Sequence, residues 1–254
     1  MDIPNAHELN IVGLATNHFN ASVIYSGSRD YSVKAWDVES GTCTATYSAP
    51  RNIVTTLQTS PTDANLLYQG SEDLFVRVWD VRSPANHAPA QVISGYVYFP
   101  VSMDVRSDGQ VLATGTKGFD SVGCTVKVWD LRNIAQPLAD FAGHSQDVVG
   151  CKFSAEDPDT ILSTSKDGSI RAWDTKLVGS DRQSCACYPH TGKLVSCLAV
   201  PPSRSADNGT NEMVIGANDG TLTFASIAGA NGAKAIKLNG STKPYFQQED
   251  TLDE

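Results

Sequence analysis

Short runs of alternating apolar and polar residues recur along this chain and end in a Trp-Asp pair four times, at spacings of 43, 50 and 44 residues. Each run follows a polar turn and a second β-rich run, such as 22–25. Strict alternation over a few residues is typical of a half-buried β strand. The pattern therefore predicts an all-β fold in which each repeat is a meander of strands. The alternating runs are 32–36, 75–79, 125–129 and 169–173.

A fifth, weaker copy of the repeat occupies 213–224 and has Ala225 where the other copies have tryptophan. The period thus extends from residue 6 to about residue 238, and we predict one repeat domain over 1–238. The remaining residues, 239–254, end in acidic side chains and are predicted to form a disordered tail. The five predicted repeats are 6–48, 49–94, 95–142, 143–189 and 190–238.

Composition and charge limit the classes of partner. The chain carries 28 acidic and 19 basic side chains, and its formal net charge of −9 repels a phosphate backbone. Nucleic acid is therefore not expected as a partner. No run of about 18 apolar residues and no basic-then-apolar leader occurs, so we expect a cytoplasmic protein without a membrane span. Scattered cysteines fit reduced thiols in that compartment.

Two sets of His, Ser, Asp and Trp repeat with the same intervals of 19, 4 and 6 residues. Identical intervals in the first and fourth repeats predict one shared geometry. The first set is His7, Ser26, Asp30 and Trp36. The second set is His144, Ser163, Asp167 and Trp173.

These sets, the four Trp-Asp endings and the Gly143-His144 pair at a repeat start resemble the WD-repeat family. The resemblance implies a β-propeller whose blades have four strands each, lettered a to d from the centre outward. It also implies that each set is a structural hydrogen-bond relay, a chain of polar side chains that satisfy one another when buried. Strands are expected near 9–15, 22–27, 32–36 and 43–48 in the first blade, and near 147–153, 160–165, 169–173 and 183–188 in the fourth.

The other repeats depart from the full set. The second keeps Asp73 and Trp79 but has Pro50 and Gln69 at the His and Ser positions. The third keeps Trp129, with its turn lengthened by the Gly-rich segment 118–123 around Asp120. The fifth keeps His190 and Asp219. We assign Asp73, Trp79 and Trp129 structural roles without extending the complete relay to these repeats, and we expect the fifth to be the least stable.

Two alternative chemistries compete with this structural interpretation. Ser, His and Asp have the composition of a hydrolase triad, but two buried copies with a tryptophan attached favour a structural relay over catalysis. Cys185, Cys187, His190 and Cys197 could form a metal site, although ordinary core packing of the cysteines is the favoured interpretation. No phosphate-binding loop occurs. We therefore predict no catalytic residue, no metal and no cofactor.

Partners of such propellers are expected on the face that carries the d–a loops, which join successive blades, and the b–c turns, which join the second and third strands of one blade. Residues 95–100 contain three aromatic side chains, which we include among the predicted binding residues as interface anchors. The predicted binding residues are Arg29, Tyr31, Arg51, Asn52, Glu72, Tyr96, Tyr98, Phe99, Ser145, Gln146, Lys166 and Asn218.

The sequence therefore predicts a non-enzymatic scaffold for protein interactions. The order of its irregularities resembles ciliary members of the WD-repeat family. That resemblance implies a seven-bladed ring with two blades before residue 1, partners among ciliary proteins or small-GTPase regulators, and a place at the cilium or its base. A substrate receptor of a ubiquitin ligase is the second hypothesis, and a hydrolase is the third.

Overall fold

The computed structural model of the chain describes residues 3–48, 52–83, 88–176, 186–188, 194–201, 211–230 and 233–241. These residues form β strands joined by turns and loops, and none of them forms a helix that could cross a membrane. The chain divides into two compact units. The first comprises residues 1–117 and 127–139, and the second comprises residues 118–126 and 140–254.

The strands form five antiparallel sheets of four, and in each sheet consecutive strands are neighbours. The first sheet contains β1 (Ile11–Thr16), β2 (Val23–Ser28), β3 (Ser32–Asp37) and β4 (Cys43–Ser48). The second contains β5 (Val54–Thr59), β6 (Leu66–Ser71), β7 (Val76–Asp80) and β8 (Gln91–Ile93). The third contains β9 (Pro100–Val105), β10 (Val111–Thr116), β11 (Thr125–Asp130) and β12 (Ala139–Ala142).

The last two sheets follow the same order. The fourth contains β13 (Gly150–Phe153), β14 (Thr160–Thr164), β15 (Ile170–Asp174) and β16 (Ala186–Tyr188). The fifth contains β17 (Val195–Ala199), β18 (Asn211–Ala217), β19 (Leu222–Ala230) and β20 (Ala233–Ser241). The predicted all-β class with five four-stranded repeats is confirmed.

The four tryptophans occupy equivalent places in the first four sheets. Each lies on the third strand, one residue before the aspartate that ends it. Trp36 pairs with Ile24, Trp79 with Leu67, and Trp173 with Ile161 on the second strand of the same sheet. A common register follows from the fixed interval between turn and tryptophan, because a shift of one residue would turn each side chain to the opposite face.

In the first unit, the tryptophan of one sheet packs against an aromatic ring that precedes it in the chain. The ring centroid of Trp79 lies 5.7 Å from that of Tyr47 on β4. The centroid of Trp129 lies 5.4 Å from that of Tyr96, which follows β8. Aromatic pairs at this separation add to the free energy of burial. These contacts join the facing apolar surfaces of the first, second and third sheets into two continuous clusters.

The second unit repeats this packing in its own core. Phe141 on β12 stacks on Trp173 with a centroid distance of 5.3 Å. The fourth and fifth sheets share a cluster in which Ala225 stands at the tryptophan position and Tyr188 packs at the edge. Since alanine buries far less area than an indole, the fifth sheet contributes less apolar burial at this position.

The end of the fifth sheet differs from the predicted repeat boundary. Strand β20 continues to Ser241, three residues beyond 238, because its residues pair with β19 as far as Thr223. Residues 242–254 of the predicted tail lie outside the described residues. So does the first half of the predicted strand 183–188, of which 186–188 form β16.

Candidate functional site

In the first sheet, a chain of hydrogen bonds leads from Trp36 to Asp30. Trp36 Nε1 donates to Ser26 Oγ at 2.7 Å, and that oxygen lies 2.6 Å from His7 Nε2. Because the hydroxyl oxygen accepts the indole proton, its own proton is directed to His7 Nε2. His7 Nδ1 is then the donor to Asp30 Oδ2, 2.8 Å away. Ser32 Oγ completes the relay by donating to Asp30 Oδ1 at 2.6 Å.

The fourth sheet contains the corresponding relay. Trp173 Nε1 donates to Ser163 Oγ at 2.7 Å, and Ser163 Oγ lies 2.7 Å from His144 Nε2. His144 Nδ1 lies 2.9 Å from Ser169 Oγ and 3.3 Å from Asp167 Oδ2. The two relays thus use the same atoms in the same order. They differ in that the serine, rather than the aspartate, is the nearer partner of the histidine in the fourth sheet.

The aspartate of each relay also holds two backbone segments together. Asp30 Oδ2 accepts from the backbone N–H of Glu8, and Asp30 Oδ1 accepts from that of Ser32, both at 3.0 Å. Asp167 accepts from Ser145 N at 2.8 Å and from Ser169 N at 2.7 Å. Each carboxylate therefore ties the b–c turn to the loop that precedes the first strand of its sheet.

These contacts set the ionisation of the relay aspartates. Burial raises the pKa of Asp30, but hydrogen bonds from Ser32, His7 and Glu8 outweigh it and hold the pKa at about 2. At Asp167, burial is likewise outweighed by hydrogen bonds, and its pKa lies well below the usual range. Both side chains are therefore carboxylates at neutral pH.

The surroundings of His144 favour its neutral form, whereas those of the relay aspartates favour the charged form. Burial lowers the pKa of this imidazole below its ordinary value of 6.5, and the nearby Asp167 opposes that shift only in part. The relay of the fourth sheet consequently contains a neutral imidazole at pH 7. This agrees with the direction of its hydrogen bonds, in which Nε2 accepts and Nδ1 donates.

The second sheet satisfies its tryptophan in another way. Trp79 Nε1 donates to Gln69 Oε1 at 2.6 Å, and Gln69 Nε2 donates to Ser71 Oγ at 3.3 Å. Arg77 donates to Ser71 Oγ at 3.5 Å and pairs with Asp73 through two bonds of 3.1 and 2.6 Å. Gln69 and Arg77 thus replace the serine and histidine, and Asp73 keeps its place at the turn.

The third sheet differs from the other three at its tryptophan. Trp129 is buried, and its Nε1 makes no hydrogen bond in the described part of the chain. The hydroxyl of Tyr96 lies 3.1 Å from Thr114 Oγ1, which also donates to the carbonyl of Lys127 at 3.4 Å. Tyr96 is therefore a core residue, 6% exposed, and its predicted place on the binding face was wrong.

The relay geometry does not resemble a working nucleophile site. Ser163 is fully buried and Ser26 is 3% exposed. Each hydroxyl is engaged on one side by an indole N–H and on the other by a histidine. A nucleophilic serine must reach a substrate carbon, and neither oxygen is open to one. The arrangement supports a structural role.

The cysteine cluster is only partly described. Cys185 and His190 lie outside the described residues. Cys187 and Cys197 are exposed, so the prediction that Cys187 packs in the core was wrong. Strand β16 is short and ends the fourth sheet, and an outer strand can expose one face to solvent. Among the described residues, no group of three or more His, Cys, Asp or Glu could hold a metal ion.

The predicted binding residues divide by exposure. Asn52 is fully buried, so its assignment to the binding face was wrong. Arg51 lies outside the described residues. The exposed members are Arg29, Tyr31, Ser145, Lys166 and Asn218. The half-buried members are Glu72, Tyr98, Phe99 and Gln146.

Within the first unit, two b–c turns display large side chains from strained backbone. Tyr31 and Leu74 each follow the turn aspartate and have φ of 70°. Gly168 and Gly220 stand at the same place in later sheets, with φ of 81° and 80°. Left-handed backbone costs a residue with a Cβ roughly 1–2 kcal/mol. Sequence reasoning missed Leu74, although the glycines at equivalent positions were a visible signal.

Between these turns, opposite charges approach each other. Arg29 Nη2 lies 4.0 Å from Glu72 Oε1, and both side chains remain substantially exposed. Tyr31 is 41% exposed and Leu74 is 37% exposed. We call these four residues the Tyr31–Leu74 surface. It combines exposed apolar side chains with charged groups of both signs, on the turns that contain Asp30 and Asp73.

Comparison with known proteins agrees with this architecture. A family model described as WD domain, G-beta repeat matches residues 3–37, 41–80, 89–130 and 135–174, more than half of the chain. The matched segments contain all four tryptophans and both complete relays.

Several curated proteins share part of this sequence. Protein tipD of Dictyostelium discoideum is 34% identical over 123 residues, which cover 47% of this chain and 17% of that protein. Protein transport protein SEC31 homolog B of Arabidopsis thaliana is 36% identical over 56 residues, 22% of this chain and 5% of that protein. Pre-mRNA-processing factor 17 of Saccharomyces cerevisiae is 38% identical over 52 residues, which cover 20% of this chain and 11% of that protein. The chain thus spans less than a fifth of each of these relatives.

The paired and unpaired indoles predict different responses to the same substitution. Trp173→Phe removes the donor to Ser163 and should lower the free energy of unfolding by about 1–2 kcal/mol more than Trp129→Phe. Trp129→Phe removes a buried N–H that has no partner, which offsets part of the lost packing. Urea unfolding followed by circular dichroism measures both. Equal losses would contradict the assigned hydrogen bond.

The neutral His144 predicts an acid-sensitive stability. Because its folded pKa is lowered, the unfolded chain takes up a proton first, and stability should decline as pH falls below about 6.5. His144→Asn should flatten the slope of unfolding free energy between pH 7.5 and 5.0. His18→Asn, at an exposed position, serves as the control for removal of a histidine. The same slope in all three proteins would contradict a buried neutral imidazole.

Proposed function

The chain belongs to the WD40 repeat family, and on that premise we propose that it is a non-enzymatic scaffold that binds other proteins through its b–c turns and d–a loops. WD40 repeats indicate a protein-interaction scaffold. Fold alone does not specify a partner, so the proposal depends on a site with its own chemistry.

The Tyr31–Leu74 surface is the observation that carries this proposal. A left-handed turn position is most stable with glycine, and the fourth and fifth sheets have glycine there. Keeping Tyr31 and Leu74 at such positions costs stability and exposes apolar area. Strained backbone of this kind is concentrated at functional sites. A tyrosine on a rigid turn is also well suited to act as an interface anchor, since little side-chain freedom is lost on binding.

The chemistry of the surface indicates the kind of partner. Arg29 and Glu72 lie 4.0 Å apart and offer groups of both signs on the same two turns as the exposed Tyr31 and Leu74. A protein surface with an apolar centre and a mixed polar rim matches this arrangement. The names of two of these relatives refer to protein transport and to pre-mRNA processing. A scaffold that assembles protein complexes is compatible with both kinds of process.

A narrower form of the proposal places the chain at the cilium or ciliary base, with ciliary proteins or small-GTPase regulators as partners. Its support is the order of irregularities along the sequence. These include the turn Gly27-Ser28-Arg29-Asp30, the segment 118–123 before Cys124, and the fifth repeat without tryptophan. The broad scaffold function does not depend on this narrower form.

The broad proposal predicts opposite effects on stability and on binding. Tyr31→Gly combined with Leu74→Gly should leave the free energy of unfolding equal or raise it by up to about 1 kcal/mol, because strain is relieved. Capture of protein partners by the tagged chain, measured by quantitative mass spectrometry, should fall severalfold. Val38→Ser, 48% exposed on the turn after β3, is the matched control and should retain capture. Unchanged capture by the double variant would refute this surface.

The ciliary form predicts a location. The full chain, fused to a biotin ligase and expressed in ciliated cells, should label ciliary or small-GTPase regulatory proteins. Labelling should fall in the Tyr31→Gly/Leu74→Gly variant if the same surface binds them. A diffuse signal with no ciliary neighbour would reject the ciliary role and leave the scaffold function untouched.

A further inference from the structure

The lengthened turn of the third sheet forms a small hairpin of its own. Phe119 and Val122 exchange two backbone hydrogen bonds, both 3.0 Å long. Between them, Asp120 and Ser121 have φ of 51° and 65°. Positive φ at both central residues defines the primed turn that closes tight two-residue hairpins, usually with asparagine and glycine. We call residues 119–122 the Phe119 hairpin.

Further contacts fix the Phe119 hairpin to the loop that precedes the fourth sheet. Phe119 forms an antiparallel bridge with Gln146, and the backbone N–H of Ser121 donates to the carbonyl of Ser145 at 3.1 Å. The same Ser145 donates its N–H to Asp167 of the relay. The hairpin is thus held against a loop that the relay already immobilises.

The base of the hairpin is fixed as well. Asp147 accepts from the backbone N–H of Gly118 at 3.0 Å and pairs with Lys166 at 2.8 Å. A Cβ at Gly118 would collide with the backbone of Val122 and Cys124, so only glycine fits there. The segment therefore has one well-defined conformation, although it lies in a turn between two strands.

This rigid segment exposes apolar side chains to solvent. Phe119 is 77% exposed and Val122 is 57% exposed. Asp120 is exposed between them and has no ion-pair partner in the described part of the chain. Two residues with a Cβ in left-handed backbone cost stability, and nothing within the described fold is gained by presenting a phenyl ring to water.

We propose that the Phe119 hairpin is a preorganised anchor that inserts Phe119 into an apolar pocket of a partner protein whose rim carries Lys or Arg. A protruding ring on a rigid turn fits a concave site and loses little freedom when it binds. The exposed Asp120 carboxylate at the tip selects a basic rim. A lipid surface is disfavoured, because the tip carries this carboxylate and the chain has a net charge of −9.

This inference rests on the proposed scaffold function. Its residues lie outside the Tyr31–Leu74 surface, so a failure of one proposal can be distinguished from a failure of the other. Its test places a photoreactive side chain in the full-length chain by Phe119→p-benzoylphenylalanine, in cells of the source organism. Irradiation should yield one discrete protein adduct. Mass spectrometry of the cross-linked peptide should locate it in an apolar pocket next to Lys or Arg. The matched control is the same replacement at Phe19, an aromatic residue 57% exposed, which should not yield this adduct.

The partner identified in this way then allows an affinity measurement with purified proteins. Phe119→Ala should weaken binding about tenfold or more, as expected for an anchor residue. Asp120→Asn with Ser121→Gly keeps the turn chemistry but removes the charge, and it should weaken binding less and reduce its dependence on salt. Thermal unfolding should be unchanged in Phe119→Ala, since the altered side chain is exposed. In the double variant it should be unchanged or slightly raised, because asparagine and glycine suit the left-handed turn better. Tyr31→Gly/Leu74→Gly should retain this adduct.

Four results would overturn the proposal. These are absence of a protein adduct from position 119, an equal adduct from position 19, an affinity of Phe119→Ala within about twofold of the unsubstituted chain, and sedimentation with phosphatidylserine vesicles that depends on Phe119. The last result would assign the hairpin to a membrane surface instead of a protein.

Discussion

A tryptophan between two sheets must bury its ring and also find an acceptor for its indole N–H, and the relays follow from this constraint. Trp36 and Trp173 donate to a serine, and Trp79 donates to Gln69. Once a serine is buried, its own proton needs an acceptor, which is the histidine, and the histidine then needs the turn aspartate. Leaving such groups unpaired costs roughly 1–3 kcal/mol each. Trp129 shows that one sheet tolerates this cost, where Thr114 bonds to Tyr96 instead.

Much of this architecture could be predicted, because the relay residues lie on neighbouring strands of one meander. Within a meander, intervals along the sequence translate directly into positions on the sheet, so the two sets spaced 19, 4 and 6 indicated one geometry. The sequence placed Gln69 at the serine position, but its hydrogen bond to Trp79 and the part played by Arg77 were not predicted. A longer amide and a guanidinium span the same distance by a different path, and no spacing rule reveals that.

The surface was predicted less well than the relays, for a physical reason. An apolar side chain near a strand end can face either the core or solvent, and its sequence position does not decide which. Tyr96 was assigned to the surface but packs on Trp129, whereas Phe119 in the lengthened turn is exposed. Asn52 was also assigned to the surface, and it is a polar residue that the fold buries. What distinguishes Phe119 is backbone conformation, which depends on contacts with Ser145 and Gln146 that are distant in sequence.

The relay and the exposed turns are energetically connected. Asp30 fixes the turn that carries Tyr31, and Asp167 fixes the loop against which the Phe119 hairpin lies. Left-handed backbone at a residue with a Cβ persists only where surrounding contacts outweigh its cost. A buried carboxylate with several hydrogen bonds supplies such contacts, so a turn next to it can hold a large side chain in a conformation that an isolated turn would abandon. Side chains held in this way lose little conformational freedom when they bind. The proposed recognition therefore depends on the stability of the relay, although no relay atom belongs to the proposed binding surfaces.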